Sequence, residues 1–253
     1  MAAVIESNPG ADPDALLELS GIVVDFGGVR ALDMLDMHVG VAEVVGVIGP
    51  NGAGKSTTLN VISGFVSPTR GTVRFDGVAI ERRAPHRRAR LGIARTFQTA
   101  QPFARLTVAE NVGVAADQRR RAGAAWSTVA AILEACGVAH LADVPAEQLT
   151  GGQRRFAELA RCLALAPRLI LLDEPASGLR DAEIDRLTAV ITGLRHDHGI
   201  SSLIVSHDMR LINDACSRVL VLDHGAPMAH GTASEIRRDP RVIAAYLGDS
   251  EQS

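Results

Sequence analysis

Apolar residues recur along this chain with two different periods, and the change between them marks its architecture. LLELSGIVVDF from Leu16 and ALDMLDMHV from Ala31 alternate apolar and polar positions, as half-buried antiparallel strands do. EVVGVIG, ending at Gly49, is instead continuously apolar and reads as a strand buried on both faces. GTVRFDGVAI from Gly71 continues the strand character. From Thr107 to about Leu149 the pattern turns to Ala-rich helical segments, including AWSTVAAILEAC, which read as an inserted helical lobe. Strand and helix then alternate through RLILLDEP, DAEIDRLTAVITGLRHDH, SSLIVSH, MRLINDAC and RVLVLDHG. That order implies parallel strands joined by crossover helices, and so a three-layer α/β core. Residues 1–14, rich in Ala, Pro, Asp and Gly without periodicity, are expected to form a flexible tail. No internal repeat is visible.

Composition narrows the class without naming a function. The chain of 253 residues is 22% charged with a net charge of −3, which excludes a disordered polymer and argues against a nucleic-acid binder. No apolar run approaches the roughly 18 residues needed to cross a bilayer. The start, MAAVIESNPGADPD, lacks the basic and apolar regions of a signal peptide, so a cytoplasmic location is expected. Cys136, Cys162 and Cys216 are odd in number and far apart in apolar contexts. They are expected to be buried free thiols rather than disulfides or zinc ligands.

One short stretch carries the strongest chemistry. Gly49, Pro50, Asn51, Gly52, Ala53, Gly54, Lys55 and Ser56 fit G-x-x-x-x-G-K-[ST], directly after the strand EVVGVIG and before the apolar-periodic STTLNVISGF. Glycines let successive backbone N–H groups point inward, and a helix N-terminus adds partial positive charge, so a polyphosphate is the natural guest. Of 26 lysines and arginines, Lys55 is the one lysine. A compact ammonium fits between β- and γ-phosphates where a planar guanidinium would overfill the space. A glycine-rich surface turn would explain these residues equally, but not the strand and helix beside them. Ser56 is expected to reach Mg²⁺ through its hydroxyl. With a single lysine, the Asn-Lys-x-Asp element of a GTPase cannot be built.

LILLDEP places Asp173 and Glu174 at the end of an apolar strand, where open α/β sheets bind ligands. Asp173 would hold Mg²⁺ mainly through water, and Glu174 would orient and polarise an attacking water. An Asp-Glu pair alone also fits a strand end turning into solvent; the phosphate loop upstream favours the functional reading. SLIVSHD puts His207 at the tip of the next strand. A lone strand-end histidine is more often structural, and His207 gains weight from these neighbours only.

LTGGQRR at 149–155 resembles the LSGGQ signature of the ATP-binding cassette ATPases, lying between phosphate loop and acidic strand as in that family. The resemblance covers the chain from about Leu16 to Gly248. It implies the ABC ATPase fold: a RecA-like P-loop NTPase core, an N-terminal antiparallel β subdomain and an inserted α-helical subdomain. By that likeness 15–250 would be one ABC ATPase domain, with 15–98 and 150–250 as the nucleotide-binding core and 99–149 as the helical subdomain. Phe26 looks like the aromatic that stacks on adenine. Gln98 resembles the Q-loop glutamine, which touches Mg²⁺ and senses the membrane subunit. The segment SGLRD at 177–181 occupies the D-loop, and His207 the switch position. Thr57 completes the ATP-binding run. The likeness also implies that ATP is enclosed by the signature of a second cassette, here Thr150, Gly151, Gly152 and Gln153. The start of a helix at Gly151 and Gly152 gives that enclosure a physical basis, through its free N–H groups. Three positions depart from the family pattern: Thr150 for serine, Phe26 for tyrosine, and Arg180 where many members carry aspartate.

FGGVRAL, GIARTFQ, PFARLTVAENV and the ending HGTASEIRRDPRVIAAYLG are similar to the LivG-type ATPases of branched-chain amino acid importers. The resemblance implies pairing with a second cassette, identical or LivF-like. It further implies two membrane permeases and a solute-binding protein, with the subunit peripheral on the inner face of the cell membrane. The chain's stop five residues after Gly248 suggests that no regulatory domain follows. ERRAPHRRAR at 81–90 and RRR at 119–121 are read first as solvated faces, with permease loops or anionic headgroups as the alternative. Pro102, Phe103 and Leu106 suit either a permease-helix groove or core packing. An exporter or lipopolysaccharide-type lipid extractor is the nearest rival reading. A soluble cassette ATPase and a P-loop small-molecule kinase stand further off, since paired cassettes, coiled coils and zinc inserts are lacking and LTGGQ would serve no purpose in a kinase.

Overall fold

The computed structural model describes residues 15–96, 102–118 and 128–248, with side chains to residue 245. The 1–14 tail, Gln98 and the arginines 119–121 therefore lie outside the described residues. Two sheets organise the rest. The first pairs β1 (Ala15–Phe26), β2 (Val29–Gly40), β4 (Arg70–Phe75) and β5 (Val78–Ala79) antiparallel in the order β2-β1-β4-β5. The second has six strands in the order β10-β9-β3-β8-β7-β6. These are β3 (Val44–Ile48), β6 (Ile93–Arg95), β7 (Leu169–Asp173), β8 (Ser201–Val205), β9 (Arg218–Asp223) and β10 (Ala226–Gly231). All neighbours in it run parallel except β9 and β10.

The apolar strands divide their side chains between two cores, as the two-residue repeat of a strand requires. Val45, Val47, Leu169, Leu171, Leu203, Val205, Leu220 and Leu222 face one cluster, which they share with the antiparallel sheet and with α1 (Lys55–Ser63). Val44, Ile48, Ile170, Leu172, Ile204, Val219 and Val221 face the other, beneath α5 (Gly151–Ala164), α6 (Asp181–His198) and α7 (Met209–Ala215). A sheet buried on both faces explains why its strands lack polar alternation. The second cluster continues into α3 (Val108–Asp117) and α4 (Val129–Ala135), and α5 packs against both helices.

Local departures from the expected pattern have physical causes. The polar alternation of β1 breaks after Leu19, where Gly21 takes a left-handed φ of 58° and the pairing register shifts; beyond the bulge Ile22, Val23 and Val24 are all buried, Ile22 and Val24 in the cluster shared with α1. The basic run at 81–90 is not wholly solvated. On α2 (Pro85–Leu91), Arg88 is 1% exposed and donates to the carbonyls of Val61 (2.5 Å), Ile62 (3.0 Å), Arg83 (2.8 Å) and Glu81 (3.0 Å), so it caps the C-terminus of α1. Burial lowers its pKa to about 10, against the opposing pull of Glu81. Cys136 and Cys162 are buried as expected; Cys216 is only half-buried, its Sγ against the open side of Gly46. The strand β10 and the helices α2, α8 (Ala233–Ile236) and α9 (Pro240–Gly248) add to the elements read from periodicity.

Candidate functional site

Parallel strands end on one edge, and the chain's candidate residues collect there. Four neighbouring strands, β3, β8, β7 and β6, lead respectively into the glycine-rich turn, His207, the Asp173–Glu174 pair and Arg95–Thr96. Thr96 is the last residue described before Gln98.

The turn is a preformed cradle. A Cβ at Gly49 would collide with the carbonyl oxygen of Leu222, so only glycine lets the loop pass β9. At Gly54, φ is 98° and a Cβ would lie 2.7 Å from the Ala31 oxygen and from Leu32. The loop is tied to its surroundings through Gly225, whose N–H donates to the Ala53 carbonyl (3.2 Å) and whose carbonyl accepts from Asp33 N–H (2.9 Å). Lys55 folds back inside, its Nζ donating to the Gly49 and Pro50 carbonyls at 2.7 Å each. Side chains cap α3, α5, α7 and α8 at Thr107, Thr150, Asp208 and Thr232, yet none caps α1. The N-terminus of α1 thus meets the cradle without a side-chain cap, with the positive end of the helix dipole. Asn51, Gly52 and Ser56 are exposed and Ala53 is buried.

Asp173 is 5% exposed. Its Oδ2 accepts from Arg95 Nη2 at 2.9 Å, and its Oδ1 is buried without a hydrogen-bond partner among the described residues. Glu174 follows with a φ of 48°, a conformation that costs a non-glycine residue about 1–3 kcal/mol and persists only where surroundings impose it. Here its N–H donates to the Val205 carbonyl (2.8 Å), which locks β7 to β8. Its Oε2 lies 2.8 Å from His207 Nδ1 and also accepts the His207 N–H at 3.4 Å. The strand-end histidine is therefore joined to the acidic pair, although its own side chain is 70% exposed.

Phe26 closes β1 at the Gly27–Gly28 hairpin and is half-exposed. The same hairpin meets the cradle through Ala31 and Leu32. Thr150, Gly151, Gly152 and Gln153 start α5 in the helical layer rather than in the strand-end row. Thr150 Oγ1 accepts from Gln153 N–H (3.3 Å) while Gln153 Oε1 accepts from Thr150 N–H (2.9 Å), a reciprocal cap that threonine preserves. Gly152 lies against Glu183 and Leu179, so the signature rests on the start of α6. Arg180 donates from its N–H to that same Glu183 (3.0 Å) and leaves its side chain 86% exposed. Sequence reasoning missed Arg95 and the Glu174 backbone, because both depend on a neighbouring strand.

Comparison with known proteins agrees with this geometry. The family model described as ABC transporter matches residues 32–177. A second, for branched-chain amino acid ATP-binding cassette transporters, matches residues 227–252. The high-affinity branched-chain amino acid transport ATP-binding proteins BraF of Pseudomonas aeruginosa and LivG of Escherichia coli are 39% and 37% identical over 251 residues, covering 93% of this chain and 98% of each relative. The lipopolysaccharide export ATP-binding protein LptB of Escherichia coli is 35% identical over 237 residues, with the same coverage. Among solved structures, the ADP conformation of an ATP-binding cassette of an ABC transporter superposes with a TM-score of 0.84 at 31% identity, covering 92% of this chain and 99% of that one. A dimeric post-hydrolysis cassette bound to ADP and Pi gives 0.75 at 25% identity, over 86% and 98%. A glycine-rich turn before an uncapped helix, a strand-end acidic pair and a helix starting at LTGGQ, on a chain so closely matched over most of its length, have one reading: the protein belongs to the ABC transporter family, in its branched-chain amino acid branch, as an ATP-binding and ATP-hydrolysing subunit.

Proposed function

We propose that this subunit powers the import of branched-chain amino acids or a similar small solute, by cleaving Mg²⁺-bound ATP between its own cradle and the signature of a second cassette. The observation that carries the reading is the row of strand ends, which places the loop 49–57, His207, Asp173 and Glu174 on one edge. The available donors suit magnesium: an exposed Ser56 hydroxyl at an uncapped helix start and an Asp173 oxygen buried without a partner among the described residues are hard oxygen donors. Magnesium bound there would neutralise charge on the β- and γ-phosphates. Gln98 is proposed as a further ligand.

The chain's own groups then divide the work. Backbone N–H groups at 49–57 and the Lys55 ammonium hold the triphosphate, while Phe26 stacks on the base. Glu174 orients the attacking water and takes up its proton; His207 keeps the Glu174 carboxylate aimed through the 2.8 Å contact. Thr150, Gly151, Gly152 and Gln153 serve the partner's nucleotide, since they start a helix set apart from this chain's own row. The dimeric relative supports such pairing.

The helical subdomain 99–149 would face the permeases. Phe103, half-exposed beneath Arg161 at 5.2 Å, offers the apolar contact, and the subunit would sit on the inner membrane face through it. No helix among the described residues is long and apolar enough to cross a membrane. The C-terminal match favours the amino acid branch over lipopolysaccharide export. Reconstitution with the permeases and binding protein proposed as its partners tests the solute: leucine-stimulated ATPase activity supports import of branched-chain amino acids, and a basal rate unmoved by leucine, isoleucine or valine refutes it.

A further inference from the structure

We propose that Arg95 is a positioning residue for the magnesium site, holding one oxygen of Asp173 so that the other is presented to the ion. The inference rests on the proposed Mg²⁺ role of Asp173 and goes beyond it by naming what sets that carboxylate's orientation. Arg95 is the last residue of β6, hydrogen-bonded in parallel to β7, and its side chain is only 9% exposed. Among the described residues its guanidinium donates to acceptors on two other elements. Nη2 donates to Asp173 Oδ2 at 2.9 Å, and Nη1 donates to Asn60 Oδ1 at 2.7 Å and to Ser63 Oγ at 3.0 Å, both on α1. Cys162 Sγ donates to the Arg95 carbonyl at 3.3 Å, which fixes the backbone from the α5 side.

The consequence lies in what this leaves. With Oδ2 taken by the guanidinium, the carboxylate plane is set by a planar donor that is itself anchored at two points, and Oδ1 remains the buried acceptor without a described partner. A carboxylate that holds a metal, directly or through its water, on one oxygen and is hydrogen-bonded on the other is the arrangement by which surrounding residues orient metal-binding groups, and losing such a support typically lowers metal affinity about 10- to 100-fold. The anchors sit on α1, the helix whose first turn forms the phosphate cradle, so the same guanidinium ties the carboxylate to the cradle. Arg95 also stands three residues before Gln98, on the strand that feeds the Q-loop. Lysine offers a single point of charge and cannot span Asp173, Asn60 and Ser63 together.

The test uses the full chain carrying Glu174→Gln, so that hydrolysis does not consume the ligand. A fluorescent ATP analogue is titrated with magnesium and again with EDTA, and the ratio of the two affinities is read. Arg95→Gln is expected to reduce the magnesium-dependent gain about tenfold or more while leaving the EDTA affinity within twofold, and Arg95→Lys to restore part of the gain. Asn60→Ala, which removes one anchor and keeps the arginine, is expected to reduce the gain about two- to threefold, and it decides the matter if Arg95→Gln does not fold. The inference is overturned if these variants keep the full magnesium-dependent gain, or if both affinities fall in proportion, as a purely structural role would give. If the parent itself shows no magnesium-dependent gain, the magnesium reading of Asp173 fails and this inference falls with it; a parental gain that Asp173→Asn abolishes and Arg95→Gln preserves sinks the Arg95 role alone.

Discussion

Lys55→Arg keeps the charge and changes only its shape, which makes it a sharp probe of the cradle. The ammonium sits 2.7 Å from both the Gly49 and the Pro50 carbonyl, inside a turn that cannot widen toward β9 because Gly49 already abuts the Leu222 oxygen. A guanidinium is planar and longer; to meet the same phosphate oxygens it must push the turn outward or point away. The change thus removes one charge-assisted contact to the triphosphate, a loss of about 1.5–3 kcal/mol. At about 1.4 kcal/mol per decade, that is a roughly 10- to 150-fold weaker Kd. Titration with a fluorescent ATP analogue reads it directly, with a thermal melt to show that the fold is retained. An arginine variant that binds ATP within twofold of the parent would refute the argument that geometry, rather than charge, keeps lysine at this position.

Other expectations concern stability and reactivity. Arg88→Met should lower unfolding free energy by roughly 3 kcal/mol in urea denaturation, because it strands the buried carbonyls of Val61 and Ile62; an unchanged midpoint would remove Arg88 as the cap of α1. Burial pushes the Glu43 carboxyl up, but the Arg218 hydrogen bond, the Gly40 N–H and the Arg218 and His38 charges outweigh it and hold the group below its ordinary 4.5. A folded value below the unfolded one means stability fully present above about pH 4.5 and lost as pH falls through the folded value. Glu43→Gln should therefore flatten the acid limb of a stability–pH curve, and a parallel limb would count against the linkage. Burial raises the thiols of Cys136 and Cys216 to about 12 and that of Cys162 also upward, so none should react with Ellman's reagent at pH 8 until the chain is unfolded.

Much of this site was legible in the sequence because its parts are local. The cradle, the acidic pair and the signature each occupy consecutive residues whose spacing is set by one turn or one helix start. Strand and helix alternation then fixes that β3, β7 and β8 end together. What escaped depends on neighbours distant along the chain. Arg95 reads as one more arginine in GIARTFQ until β6 pairs with β7 and brings it to Asp173. Arg88 reads as part of a basic run until α2 lies against the end of α1. The positive φ of Glu174 is invisible in LLDEP, since the residue type gives no hint that Val205 pins its backbone. The break in β1 follows from Gly21, a cue that lay in the sequence but whose register shift only pairing with β2 reveals.

The central claim is that ATP is enclosed by two cassettes, each supplying what the other lacks. Size-exclusion chromatography with light scattering on the Glu174→Gln chain, alone and mixed with the proposed companion cassette, tests this most directly. With ATP and magnesium, a particle of two cassettes and two nucleotides should appear, and it should fall apart when ATP is replaced by ADP. ATP held by a single cassette, with no pairing to itself or to the companion, would contradict the account.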